Sequence, residues 1–121
     1  MESCLVYMTA GSRDEALAIG RALVADRLAA CVNVLGPMTS VYEWQGETHE
    51  DPEVAFLAKT RSDLVPRLAE RVQALHSYDC ACVVALPIQG GHAPFLAWIG
   101  DQTAAPPVEA VAAGPIGEGR P

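Results

Sequence analysis

The segment from His76 to Cys82 reads HSYDCAC and concentrates residue types that bind soft metal ions. Imidazole and thiolate ligands suit copper or zinc, and Asp79 adds a carboxylate. If the segment enters a strand, Cys80 and Cys82 point to one face, because side chains two residues apart do. The segment therefore suggests a compact site for a soft ion. The alternative is that both cysteines are small buried residues at the start of a strand, since free cysteine is among the most buried residue types.

Cys31 is a third thiol with two interpretations. In the functional one it is a metal ligand that faces a cleft between subunits, and the predicted ligand set is Cys31, His76, Asp79 and Cys82. In the structural one it packs as a small hydrophobic residue at the start of a strand. The metal predicted for this set is copper or another divalent ion, and folding is not expected to require it.

Aromatic residues and one lysine form a second group of candidates. Rings provide walls and a lysine provides a charge partner, which is what a small anionic ligand needs. The predicted ligand-binding residues are Trp44, Lys59, His76, Tyr78 and Trp98. The alternative is that Tyr42 and Trp44 anchor an interface between subunits, where aromatic residues are enriched. The sequence shows no nucleophile that pairs with His76 as a general base, so a catalytic triad is not supported, and we predict no catalytic residues and no enzyme.

The elements that must position these residues follow from hydrophobic spacing and turn signals. Ser12 and Glu15 have the spacing of a capping box at the start of the first helix. A bulge is expected at Gly36-Pro37 and a turn at Gln45-Gly46. The predicted elements are strands over 4–9, 31–44, 54–59 and 82–88 and helices over 13–27 and after Ser62-Asp63. A short helix is predicted over 94–99, with a brief fifth strand as the alternative.

The order β-α-β-β-α-β is typical of a ferredoxin-like α+β sandwich with an antiparallel sheet. Two helices would cover one face of that sheet, and in so short a chain a partner subunit is the natural cover for the other. We predict one domain over 1–103. The Ala/Pro/Gly-rich segment over 104–121 has little to bury and is predicted to be a disordered tail.

Composition excludes several partners. The net charge of -7 repels nucleic acid backbones and anionic membranes. No apolar run approaches the roughly 20 residues of a membrane-spanning helix. The first residues lack the pattern of a secretory signal, and no C-x-x-C pair occurs among the four cysteines. We therefore expect a cytoplasmic protein with reduced thiols that binds neither nucleic acid nor membrane.

Several separated motifs resemble the CutA divalent-cation tolerance family. They are RLAACVN at 27–33, S-x-Y-x-W-x-G at 40–46, Lys59-Thr60 and the segment from His76 to Tyr78. The resemblance covers roughly 5–98 and implies a ferredoxin-like homotrimer, similar in architecture to PII-type signalling proteins. The family usually has HPYEVPE where this chain has HSYDCAC. Ser77 and Ala81 thus stand at proline positions, and Asp79 and Cys82 at glutamate positions.

The resemblance implies a function in the response to divalent cations. We predict a homotrimer that binds copper or a similar metal ion without catalysis, and that extends its sheets between subunits through a long hairpin over 32–59. The alternative is a PII-like signalling module that binds a small anion or nucleotide between subunits. The sequence identifies no further protein partner.

Overall fold

The computed structural model describes residues 2–104. Its strands are β1 Ser3–Ala10, β2 Cys31–Trp44, β3 Glu47–Arg61 and β4 Val83–Pro87. Its helices are α1 Arg13–Ala25, α2 Val65–Leu75 and α3 Ala93–Thr103, with a 3-10 turn at Ser62–Leu64. None of the described helices has the length and apolar character that a bilayer crossing requires.

The four strands form one antiparallel sheet in the order β2-β3-β1-β4. This order is that of a ferredoxin-like fold, so the predicted α+β class is confirmed. The register of β2 and β3 shifts between Val34 and Pro37, where proline lacks the amide that a ladder needs. The predicted bulge is therefore present.

The hydrophobic core lies between one face of the sheet and the helices α1 and α2. Val6, Met8 and Phe56 supply fully buried side chains from the sheet. Ile19 and Leu23 of α1 and Leu68 and Val72 of α2 supply the helical side of the same cluster. Leu68 and Val72 thus pack α2 on the sheet.

The opposite side of the sheet, called here the second face, is only partly covered. Leu5 and Tyr7 alternate with core residues of β1, and they pair with Leu86 and Val84 of β4. Val84 and Leu86 are each 51% exposed. α3 packs against β3 and β1 on this face and leaves the β4 side open.

A two-stranded arm extends beyond the rest of the sheet. β1 pairs with β3 only from Val54 to Arg61, whereas β2 pairs with β3 as far as Trp44 and Glu47. The arm, residues 38–53, turns at Gln45 and Gly46, both with positive φ of 53° and 84°. Two successive positive φ values match the twist of a hairpin, so the turn signal is confirmed.

The first helix ends earlier than predicted. α1 stops at Ala25, and Arg27 adopts a left-handed φ of 59° instead of continuing the helix. The Arg27 amide donates to Val24 O at 3.1 Å and the Leu28 amide to Leu23 O at 2.9 Å. This is the Schellman arrangement, formed without its usual glycine.

Other boundaries also differ from the prediction. β3 begins at Glu47 and not at Val54, so the acidic segment over 47–53 lies in a strand, and β4 begins at Val83, after both Cys80 and Cys82. Ser62-Asp63 lies in the 3-10 turn, and α2 begins at Val65 with Pro66 in its first turn, where a missing amide costs little. The terminal helix extends to Thr103. Apart from Ala104, the predicted tail lies outside the described residues.

Candidate functional site

A cavity of about 450 Å³ lies between the arm and the segment that follows α2. Three aromatic residues line it: Tyr42, Trp44 and Tyr78. The other lining residues are polar or acidic: Thr9, Ser40, Glu53, Asp79, Cys80 and Cys82. Its volume lies within the 300–1,000 Å³ that is typical of small-molecule sites. Two other cavities of the described chain have volumes in this range, but neither is lined by an aromatic residue, so this cavity is the best candidate for a functional site there.

Glu53 is the centre of a hydrogen-bond network in this cavity. Ser40 Oγ donates to Glu53 Oε1 and the Tyr78 hydroxyl donates to Glu53 Oε2, each at 2.6 Å. Partial burial, together with the hydrogen bond to Glu53 and its charge, raises the pKa of Tyr78. Tyr78 therefore stays a neutral donor at physiological pH and holds the carboxylate in place.

A second tyrosine–carboxylate pair stands on the arm. The Tyr42 hydroxyl donates to Asp51 Oδ2 at 2.7 Å, and its ring stacks on His49 with centroids 5.3 Å apart. The hydrogen bond to Asp51 raises the pKa of Tyr42. These contacts join the two strands of the arm on the side that carries the cavity, and they support a hairpin that would be only marginally stable in isolation.

His76 is buried and both of its ring nitrogens are occupied. Nε2 lies 2.8 Å from Thr9 O, and since a carbonyl only accepts, Nε2 carries the hydrogen. Nδ1 accepts from the Tyr78 amide at 3.1 Å, and the two rings lie 4.5 Å apart. The side chain is 0% exposed. His76 therefore positions Tyr78 within the chain, and it has no free lone pair for a metal.

Glu15 connects the start of α1 to the segment after α2. Its amide donates to Ser12 Oγ at 3.1 Å, which is one half of the predicted capping box. The other half is wrong, because the Glu15 carboxylate accepts from the amides of Gly11 and Ser77 and from Ser77 Oγ. Partial burial works to raise the pKa of Glu15, but these bonds and the nearby His76 outweigh it and lower the pKa.

The predicted ligand-binding residues separate into two groups. Trp44 and Tyr78 line the cavity, with His76 beneath Tyr78. Lys59 and Trp98 lie elsewhere, because Lys59 Nζ is 2.8 Å from Asn33 Oδ1 and 5.6 Å from the centroid of the Phe95 ring, on which Trp98 stacks. The lysine expected to pair with an anion therefore does not line the aromatic cavity.

The predicted metal ligands do not meet at one point in a single chain. Cys31 pairs with Lys59 across β2 and β3, whereas Cys82 and Asp79 line the cavity. Within residues 2–104, no three His, Cys, Asp or Glu side chains are grouped closely enough to hold a metal ion. Burial raises the pKa of Cys31 despite the nearby Lys59, and burial also raises the pKa of Cys82.

The two cysteines of the Cys-x-Cys pair lie before β4 and not on it. Their placement on one face of a strand is therefore wrong, yet both line the cavity. All four cysteines are free thiols. Cys80 is exposed and Cys82 half-buried, so this pair is more accessible than the buried Cys4.

Sequence reasoning missed Glu53, Ser40 and Glu15. Glu53 ends the acidic segment ETHEDPE over 47–53, and none of these residues was among the predicted site residues. The pairing of the two strands could have indicated Glu53 as a site residue. It faces Met38 across β2 and β3, next to the aromatic positions of the arm. Glu15 gave no such signal, since its partner Ser77 lies 62 residues away along the chain.

The fold and the cavity define a class of protein: a ferredoxin-like α+β domain with an extended hairpin arm and a ligand-sized cavity at its base. A comparison with protein families matches residues 4–102 to the CutA1 divalent ion tolerance protein family. The chain belongs to this family, as its motifs indicated.

Relatives and solved structures agree with this assignment. The divalent-cation tolerance protein CutA of Thermus thermophilus is 46% identical over 99 residues, which cover 82% of this chain and 96% of that protein. The crystallised Thermus chain has a TM-score of 0.82, at 45% identity, and the match covers 84% of this chain and 99% of that one. The periplasmic CutA of Archaeoglobus fulgidus has a TM-score of 0.81 at 37% identity, covering 84% and 99%.

Mouse protein CutA is 46% identical over 93 residues, which cover 77% of this chain and 52% of that protein. The chain therefore spans about half the length of this relative and nearly all of the Thermus one. The part shared by all of them is the domain described above.

Proposed function

We propose that this chain is a divalent-cation tolerance protein that acts as a homotrimer and binds copper or a similar metal ion without catalysis. Family membership supports the cation response. The open second face supports the assembly, and the thiols at the cavity support a soft metal. The open second face is the observation that carries the proposal, because it requires a partner.

The second face needs a cover because its apolar side chains meet water in the single chain. Val84 and Leu86 are half exposed, and the half-buried Leu5, Tyr7 and Leu57 stand beside them in register. A contiguous apolar surface of this kind usually marks an interface between proteins. The arm is the second such feature, since two unaccompanied strands leave unpaired edges that another chain can extend.

The oligomer is tested by sedimentation equilibrium of the wild-type chain and of a V84K/L86K variant. The wild type should sediment as a trimer at micromolar concentration. The variant should dissociate, since two lysines on the second face cannot be desolvated without partners. An E70K variant, changed at an exposed position of α2, is the control and should stay trimeric. A monomeric wild type contradicts the proposal.

The metal is expected at thiols and not at His76. Within one protomer His76 is committed to Thr9 and Tyr78. Cys80 and Cys82 remain as soft ligands at the cavity, with Asp79 beside them and Cys31 as a separate thiol. Because the pKa of Cys82 is raised, metal binding should release a proton and weaken below neutral pH.

Metal content after copper loading and gel filtration tests this assignment. A C80S/C82S variant should retain at most about half of the copper that the wild type retains, and C31S serves as the matched loss of a thiol outside the cavity. Equal copper in the wild type and C80S/C82S excludes the cavity thiols. Negligible copper in all three excludes direct binding of this metal.

We also propose a cytoplasmic location, in which the four free thiols stay reduced. The PII-like alternative stays a prediction. It would place an anion near Lys59, Phe95 and Trp98 instead of in the cavity. Thermal unfolding with a panel of nucleotides distinguishes it, since a ligand of the folded state raises Tm by mass action.

A further inference from the structure

The cavity at the base of the arm carries charge of one sign. Glu53 and Asp79 line it, and none of its lining residues within 2–104 is Lys, Arg or His. The whole chain has a net charge of -7, which adds a negative potential around the site. An anionic ligand would therefore be repelled from this cavity, and a cationic one attracted.

The aromatic walls of the cavity suit an organic cation. Tyr42, Trp44 and Tyr78 present aromatic rings, whose faces attract ammonium groups through their quadrupoles. Within residues 2–104 no group of three metal-ligating side chains includes Glu53, so its carboxylate stays available to an organic cation beside the thiols proposed for copper. A volume of about 450 Å³ also exceeds what one ion occupies.

The carboxylate of Glu53 is prepared for a further donor. Ser40 and Tyr78 each donate one hydrogen bond, one to each of its oxygens. A carboxylate offers about four acceptor positions, so about two remain. Because the two hydroxyls fix the carboxylate before a ligand arrives, little side-chain freedom is lost on binding.

We propose that this cavity binds a small organic ammonium ion, a primary or methylated amine. Its charged group lies against Glu53 and the ring of Tyr78, and its hydrocarbon part extends along Tyr42 and Trp44. This site goes beyond the metal proposal, because its ligand atoms are carboxylate and aromatic carbon and not thiolate.

The intrinsic fluorescence of Trp44 gives a direct test. The chain has two tryptophans, and Trp98 stacks on Phe95 away from the cavity, so a W98F background leaves Trp44 as the sole reporter. The full chain is titrated with n-butylammonium in the presence of EDTA, which keeps metal binding out of the result. n-Butanol is the neutral control of equal length, and butyrate is the anionic control.

Butylammonium should change the fluorescence saturably, with a Kd in roughly the millimolar range for so few atoms. Butanol and butyrate should give no saturable change at the same concentrations. E53Q should weaken butylammonium binding about tenfold, because the charge-assisted contact is lost. E70Q removes the same charge from an exposed α2 position and should leave the Kd unchanged.

If E53Q does not fold, butylammonium binding by a W44L variant, measured by calorimetry, still tests the proposal. Trp44 is 46% exposed, so its replacement leaves the core intact. W44L should also weaken butylammonium binding severalfold. Equal binding of butanol, equal Kd values in E53Q and E70Q, or undiminished binding by W44L would overturn the proposal. No butylammonium binding by the assembled wild type would overturn it as well, including when a second copy covers the cavity.

Discussion

Replacing Glu15 with glutamine should destabilise the fold by about 2 kcal/mol at pH 7. The Glu15 carboxylate accepts from the Ser77 amide at 2.8 Å, from Ser77 Oγ at 3.1 Å and from the Gly11 amide at 3.3 Å. Glutamine has one carbonyl oxygen, and its NH₂ group would face a donor. At least one backbone amide would therefore lose its acceptor.

The magnitude follows from the kind of bond that is lost. A hydrogen bond to a charged group contributes about 1.5–3 kcal/mol to stability, and a neutral one about 1 kcal/mol. The Glu15 side chain is only 20% exposed, so solvent screens these bonds weakly. The loss of one hydrogen bond to the charged carboxylate and the weakening of another together lower the free energy of unfolding by about 2 kcal/mol. This lowers Tm by roughly 8–12 °C in a domain of this size.

The loss should depend on pH in a defined direction. The pKa of Glu15 is lowered from its ordinary value of 4.5. A carboxyl group of this kind stabilises the fold fully above the ordinary pKa, and its contribution disappears as pH falls through the lowered value. The stability gap between wild type and E15Q should therefore be constant from pH 7 to 5 and shrink below about 4.5.

D14N is the matched control, because Asp14 also lies in the first turn of α1 but is exposed. It loses only the interaction with the helix dipole, about 0.5 kcal/mol. Thermal unfolding at one fixed protein concentration, at pH 7, 5 and 3.5, measures all three proteins. Equal losses in E15Q and D14N would refute the reasoning, and so would a gap that widens as pH falls.

Three further predictions concern the backbone and the core. R27G should be about 1 kcal/mol more stable than R27A in urea unfolding. Both variants lose the Arg27 hydrogen bonds to Gln102 O and Ala104 O, but glycine adopts the φ of 59° without the strain that alanine has there. The opposite order of stability would show that the turn is unstrained. G46A should cost about 1–2 kcal/mol through its φ of 84° alone, since a Cβ there meets no atom within 4 Å; an unchanged urea midpoint would contradict this. F56A should cost about 3–5 kcal/mol, because Phe56 is fully buried, and calorimetry should show a correspondingly lower Tm; a loss under 1 kcal/mol would place Phe56 outside the core.

The order of the elements was predictable because hydrophobic spacing and local turn chemistry determine it. The bulge before Pro37, the turn at Gln45-Gly46 and the position of Pro66 each depend on neighbouring residues alone. The end of α1 was not predictable in this way. Its left-handed residue is Arg27 and not glycine. The Arg27 side chain donates a hydrogen bond to Gln102 O in α3, 75 residues later, and this contact favours arginine at the position.

The candidate site was predictable in its members but not in its grouping. Trp44 and Tyr78 were assigned to one site and Cys82 to another, yet all three line one cavity. Lys59 and Trp98 were assigned to the aromatic site and lie apart from it. Residue type shows which side chains can do chemistry, but only the pairing of β2 with β3 and the path of the chain after α2 decide which of them meet.

The departures of this chain from the family pattern are connected through backbone amides. The resemblance noted from the sequence implies proline at positions 77 and 81, where this chain has Ser77 and Ala81, and proline fixes φ but has no N–H. Here the Ser77 amide donates to Glu15 Oε2 at 2.8 Å and the Ala81 amide to Gln73 Oε1 at 2.9 Å. These two hydrogen bonds thus restrict the backbone of a segment that two proline rings would otherwise restrict. Because Tyr78 lies between these two anchors and donates to Glu53, the loss of Glu15 should disturb the cavity as well as the start of α1.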